Sequence, residues 1–252
     1  MPRRDVELKI IDQVTLREWF HTPSNDHQTS SDTTSATLPE VGPKRLLPCL
    51  IIYSSTTIAA LGPPTSEPGC PEREIVPWEQ QSDLSDAVTY LQVECSDLID
   101  PDSIAVWGYS FAGGHVITVG ASDPRIRAVI AAAPVSSLAA PEAYSYFSQY
   151  EKINNPSSNW IDDMGLRISY LSLFLEAQEH IQYISPLSLL MLVMDRDATA
   201  MTELELEAYE KAREPKELPI LKGGHFDPFA DGNLAETVEE QVEILRRWVV
   251  SS

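Results

Sequence analysis

Cysteine is scarce. Cys49, Cys70 and Cys95 are the only three in 252 residues, too few and too scattered for a disulfide framework or a zinc site. Basic residues are scarce too: 18 Lys and Arg stand against 38 Asp and Glu, a formal net charge of −20. Such a surface repels nucleic acid and anionic membranes, so neither is an expected partner. No apolar run is long enough to span a bilayer. Met1-Pro2-Arg3-Arg4-Asp5 leads into a strand rather than an apolar signal core, so no secretory signal is read there and a reducing, cytoplasmic setting is expected. Glycine is sparse, 11 residues against 19 prolines. No phosphate-binding glycine loop and no ligand-spaced His/Cys/carboxylate cluster appears, so neither a cofactor nor a metal is expected.

What remains suits one α/β domain spanning residues 1–252. Val6 to Ile11 and Thr15 to Thr22 read as two antiparallel strands, and residues 21–44, rich in Ser, Thr, Asn, Asp and Pro, as a long loop. Leu46 to Tyr53 is near-continuously apolar, as a centrally buried strand should be. Cys49, within it, reads as a small packed hydrophobe. Residues 54–77 have no helical period. Glu79 to Leu98 reads as a helix, with Leu84, Ala87, Val88 and Leu91 on one face. Strands follow at Ile104 to Trp107, Ile126 to Ala133, Leu189 to Met194 and Leu218 to Leu221, with helices at Glu203 to Arg213 and Glu236 to Val249. This alternation predicts a mainly parallel sheet covered on both faces. Residues 134–183, irregular and then helix-like from Trp160, read as a lid-like insertion.

The most telling stretch is Trp107-Gly108-Tyr109-Ser110-Phe111-Ala112-Gly113-Gly114. A serine between small residues at a strand-to-helix turn is a nucleophile elbow: the tight turn lifts the Ser110 hydroxyl above the sheet and sets the Phe111 N–H beside it as an oxyanion donor. The run Leu189 to Met194 ends in Asp195-Arg196-Asp197, and Leu218 to Leu221 leads to Gly223-Gly224-His225-Phe226-Asp227. Ser, Asp and His thus follow strands in the chain order of the α/β-hydrolase triad, at strand ends where open sheets place their sites. Of the five histidines, His225 alone occupies the third slot; His115, on the helix after the elbow, is read as structural. Asp195 rivals Asp197 as the acid. Asp197 is preferred because it leaves a turn for the carboxylate to reach back. Asp227 is read as shaping the histidine loop or as solvated.

These residues resemble the fungal polyketide transferase family of α/β-hydrolases. The resemblance rests on Met1 to Glu7, Glu72-Arg73-Glu74-Ile75-Val76-Pro77-Trp78-Glu79, Gly113-Gly114-His115-Val116, Ala208 to Lys216 and Gly223 to Asp227. It implies Ser110 as nucleophile, Asp197 as acid and His225 as base, acting on acyl chains made by polyketide synthases. The chain departs from the family after Tyr53, where about one helix and one strand, on the order of 25 residues, are missing, and the lid is short. The strand ending at Tyr53 matches either the family's third strand, with Ser54-Ser55 where a His-Gly pair belongs, or its fourth. The second oxyanion donor usually follows the third strand, which leaves backbone near Ser55 and Thr56.

The expected function is a serine-dependent acyl hydrolase or acyltransferase on a polyketide-derived ester or thioester, free or carrier-bound, through an acyl-Ser110 intermediate, with a polyketide synthase as a candidate partner. Two other readings stand beside it: a non-catalytic or vestigial hydrolase-fold protein that binds a metabolite or synthase, and a cyclase that uses the same pocket and needs only the His225 base. Tyr144, Tyr146, Phe147, Tyr150 and Trp160 either line an acyl pocket or pack the lid down, the latter being the commoner use of aromatics.

Overall fold

The computed structural model describes residues 3–9, 15–21, 47–53, 76–136, 175–229 and 234–250. Strands β1 (Arg3–Lys9) and β2 (Thr15–His21) pair antiparallel as a two-stranded sheet of their own. The main sheet runs β3 (Leu47–Tyr53), β4 (Ile99–Tyr109), β5 (Ala128–Ala132), β6 (Ser188–Met194) and β7 (Lys216–Glu217), with β8 (Ile220–Leu221) also on β6. Every pairing in it is parallel, as expected of an α/β-hydrolase fold. The stretch read as one strand at Leu218 to Leu221 is two short ones. They pair with Leu189–Leu190 and then Val193–Met194 of β6. Pro219 between them has no N–H to give the ladder, though its carbonyl accepts the Val193 N–H at 3.1 Å.

Helix α1 (Pro77–Glu94) begins with proline at its first position, where no N–H is needed. It buries Leu84, Val88 and Leu91, spaced along one face. Helix α2 (Phe111–Ser122) is apolar nearly all round, because it lies between α1, the sheet and the short helix α3 (Ala177–His180). Helix α4 (Thr202–Lys211) follows β6, and α5 (Leu234–Leu245), continued by a wider turn over Arg246–Val250, closes the described chain. One core joins Leu84, Val88, Val116 and Ile117 of the helices to Ile104, Val106, Val129 and Met191 of the strands. The second joins Ile130, Leu190 and Leu192 to Ile244 of α5. Each such side chain stabilises the fold by roughly 1.5–3 kcal/mol, and burial on both faces explains why β5 and β6 read as unbroken apolar runs.

β3 departs from expectation. It is the terminal strand of the main sheet among the described residues, not a central one. Cys49 and Ile51 pack into the first core, and burial pushes the Cys49 thiol up to about 11. The alternate residues, Leu50 and Ile52, are 38 % and 67 % exposed. They line an apolar groove of about 220 Å³ with Trp107, Leu192, Val238 and Val242. The strand is apolar on both faces, yet among the described residues only one face is covered.

Candidate active site

Because the main strands run parallel, the ends of β4, β6 and β8 open on one edge of the sheet. Ser110 follows β4 directly, with φ 58° and ψ −120°, a left-handed backbone that a residue bearing a Cβ adopts only under strain. Three backbone bonds hold it there: Ser110 N–H to Ala132 O at 2.9 Å, Val135 N–H to Ser110 O at 2.9 Å and Gly114 N–H to Ser110 O at 3.3 Å. Gly108 makes the corner possible, since a Cβ there would lie 2.3 Å from the Ala112 carbonyl oxygen. Ser110 caps α2, so the Phe111 N–H is among the first four of the helix and has no intrahelical acceptor.

The loop after β6 brings in Asp197, buried at 4 % exposure. Its Oδ1 accepts the Thr199 N–H at 2.7 Å and the Ala200 N–H at 2.8 Å. Its own N–H donates to Thr202 Oγ1 at 3.0 Å, and that hydroxyl donates to Met194 O at 2.7 Å. The carboxylate is therefore fixed before it meets the histidine. The loop after β8 brings in His225, whose Nδ1 lies 2.6 Å from Asp197 Oδ2 and whose Nε2 lies 2.8 Å from Ser110 Oγ. A carboxylate only accepts, so the proton belongs on Nδ1 and the Nε2 lone pair faces the serine hydroxyl. Ser110, Asp197 and His225 are thus brought together from three separate loops.

Asp195 takes another part. Its Oδ1 accepts the Gly223 N–H at 2.8 Å, and this bond, ahead of neighbouring Arg196, holds its carboxyl below the ordinary value. Asp195 ties the histidine loop to the end of β6 and does not touch His225. Gly223 has φ +127°, which glycine supplies without strain, and Asp227 Oδ2 accepts the Gly224 N–H at 2.8 Å. His115 is buried between Gln80 and Gln81, its Nε2 at 3.0 Å from Gln80 Oε1 and its Nδ1 at 3.3 Å from Gln81 Nε2. Burial pushes its pKa down to about 3, so it is a neutral, structural imidazole.

Two residues at the site escaped the sequence reading. Tyr109, before the serine, donates its hydroxyl to the His225 carbonyl and holds its ring 5.0 Å from the imidazole; its place in the elbow was the available signal. Glu205, in the first turn of α4, is fully buried, and neither carboxyl oxygen has a hydrogen-bond partner. Burial and then the Asp197 charge push it up to about 10. Nothing in an amphipathic acidic helix distinguishes it from the exposed Glu203 and Glu207 beside it. Thr56, Tyr144, Tyr146, Phe147, Tyr150, Trp160, Cys70 and most of the stretch read as a lid lie outside the described residues. Among the described residues no group of three or more His, Cys, Asp or Glu is placed to hold a metal ion, and no helix is long and apolar enough to cross a membrane.

No family model matches the chain. A polyketide transferase of a Penicillium species, grgF, is 27 % identical over 298 aligned positions covering 98 % of this chain and 97 % of that one. A thiohydrolase of Eupenicillium brefeldianum is 22 % identical over 97 % of this chain and 94 % of its own. The crystal structure of the α/β-hydrolase GrgF from Penicillium sp. sh18 superposes with a TM-score of 0.73 at 24 % identity, covering 99 % of this chain and all of that one. The chain has the α/β-hydrolase fold and is similar along its length to a polyketide transferase. Its relatives are named as transferases and hydrolases, and its fold is theirs. The alignment to the Penicillium relative is longer than this chain, 298 positions against 252 residues, so that relative carries residues with no counterpart here. Tyr53, at the end of β3, pairs with Gly108 of β4.

Proposed function

We propose that this chain is a serine-dependent acyl hydrolase or acyltransferase that acts on a polyketide-derived ester or thioester. The observation that carries the reading is the unbroken path from Ser110 Oγ through His225 to Asp197, at 2.8 and 2.6 Å, on an elbow with a left-handed serine. His225 Nε2 takes the hydroxyl proton as Oγ attacks the carbonyl carbon, and Asp197 stabilises the imidazolium. The oxyanion falls to the Phe111 N–H and to a second backbone donor, for which Thr56 is the candidate. Collapse breaks the bond to the thiolate or alkoxide, which leaves with the proton from His225. Water, or an alcohol or amine, then attacks the acyl-Ser110 ester, gives its proton to His225, and releases the product as Ser110 regains its own.

The polyketide assignment draws on the names of the relatives, one a transferase and one a thiohydrolase. It makes a carrier-bound acyl thioester, presented by a synthase, the natural donor. The test is intact-mass spectrometry after treatment with a fluorophosphonate, with Ser110→Ala and His225→Ala as controls. One adduct that requires both side chains is expected, followed by turnover of acyl N-acetylcysteamine thioesters. A folded protein that takes no adduct overturns the acyl-enzyme reading and leaves a binding role. Thioester or lactone chemistry that survives Ser110→Ala but not His225→Ala points to a base-only cyclase.

A further inference from the structure

Glu205 is the one buried acid at the site that the mechanism above does not use. Its side chain is fully buried and both oxygens lack partners. A charged carboxylate does not persist in that setting, because an unpaired buried charge costs several kcal/mol and the group takes a proton instead. Its position is tied to Asp197 by short covalent and hydrogen-bonded steps. Thr202 N–H donates to Asp197 O at 3.1 Å, Asp197 N–H donates to Thr202 Oγ1, and Glu205 N–H donates to Met201 O at 3.1 Å. The loop that holds Asp197 therefore runs straight into the turn that carries Glu205. Of the charges around it, Asp197 is the one that acts on it. Its helix neighbours Glu203 and Glu207 are exposed. On α3, packed against α4, Glu179 is exposed and paired with Lys211 at 2.6 Å, His180 is exposed and Glu176 is half-buried. β6, on the other side, presents no titratable group.

We propose that Glu205 is a positioning residue, an uncharged carboxylic acid kept behind Asp197 so that Asp197 alone charges the pocket and directs its charge to His225. The inference rests on the Ser110–His225–Asp197 reading. While Glu205 is protonated, the Asp197 carboxylate faces the imidazole with no competing anion. When Glu205 loses its proton to solvent, two like charges share a buried space and the field at His225 changes. The field at His225 is accordingly pH-dependent in the alkaline range through a residue that never touches substrate.

The experiment follows the ¹⁵N shifts of the His225 imidazole from pH 7 to 10.5, in full-length wild type and in Glu205→Gln, with His225→Gln to assign the signal. Fluorophosphonate labelling rates are measured over the same range. The expected wild-type result is a His225 ¹⁵N inflection near pH 10 and a labelling rate that rises across it, because a second nearby anion strengthens the imidazole base, both absent in Glu205→Gln. Glu205→Met serves in its place if the amide variant does not fold. Superimposable His225 titrations and labelling profiles in wild type and variant overturn the proposal. An inflection at His225 in a protein whose Ser110 never labels leaves the positioning role standing and sinks the acyl-enzyme reading. Labelling of Ser110 without the inflection does the reverse.

Discussion

Ser110 offers a test of sign. Its φ of 58° places an L side chain where the backbone costs about 1–3 kcal/mol, and glycine occupies that region without the cost. Ser110→Ala and Ser110→Gly both delete the hydroxyl and its bond to His225, so the two variants differ only in backbone freedom. At a relaxed position the glycine variant is the weaker by about 0.5–1 kcal/mol, through the entropy of the unfolded chain. Here strain relief opposes and exceeds that term, and Ser110→Gly is expected to be more stable than Ser110→Ala by roughly 0.5–2 kcal/mol. Equilibrium urea unfolding, followed by tryptophan fluorescence with both variants side by side, reads the difference directly. Neither variant labels with a fluorophosphonate. A glycine variant less stable than the alanine variant by the ordinary half to one kcal/mol (about that for a relaxed site) would falsify the strained elbow.

Three further outcomes are expected. Glu205, whose pKa is raised from 4.5 to about 10 on folding, contributes stability that is complete below pH 4.5 and is lost as pH rises toward 10. Urea unfolding should find Glu205→Gln gaining on wild type by roughly 3 kcal/mol between pH 4.5 and 7, and parallel stability curves would remove the argument. Gly108→Ala, whose Cβ meets the Ala112 carbonyl oxygen at 2.3 Å, should cost about 1–3 kcal/mol in thermal unfolding and slow labelling of Ser110; a wild-type melting temperature refutes the close approach. Asp197→Asn should reduce the labelling rate by about 10³–10⁴, whereas Asp195→Asn, which removes the charge facing the Gly223 N–H and Arg196, should change it no more than about threefold, and equal losses would show that the acid has been misassigned.

The candidate site was more legible in the chain than its surroundings. The order Ser110, Asp197, His225 after three apolar runs could be read directly, because a parallel sheet brings strand ends to one edge whatever the loops do. The preference for Asp197 over Asp195 rested on the family's register and on reach, and the structure places Asp197, held by Thr199 and Ala200, 2.6 Å from His225 Nδ1. β3 misled because Leu47 to Tyr53 is apolar on both faces, and hydrophobicity reports a preference for cover rather than the presence of a covering strand or helix. Pro219 split a strand that periodicity read as continuous. Glu205 was invisible because burial of one acid among several on an acidic helix is decided by how far α4 leans on the sheet, a tertiary fact with no local signature.

The main sheet ends at β3, while β1 and β2 keep to a ladder of their own. Every hydrogen bond described for Ser110, Asp197 and His225 comes from within residues 109–135, 194–202 and 223–227. The N-terminal segments add nothing to that set. A lineage is free to rework the separate ladder of β1 and β2 without disturbing the bonds that hold Ser110, Asp197 and His225 together.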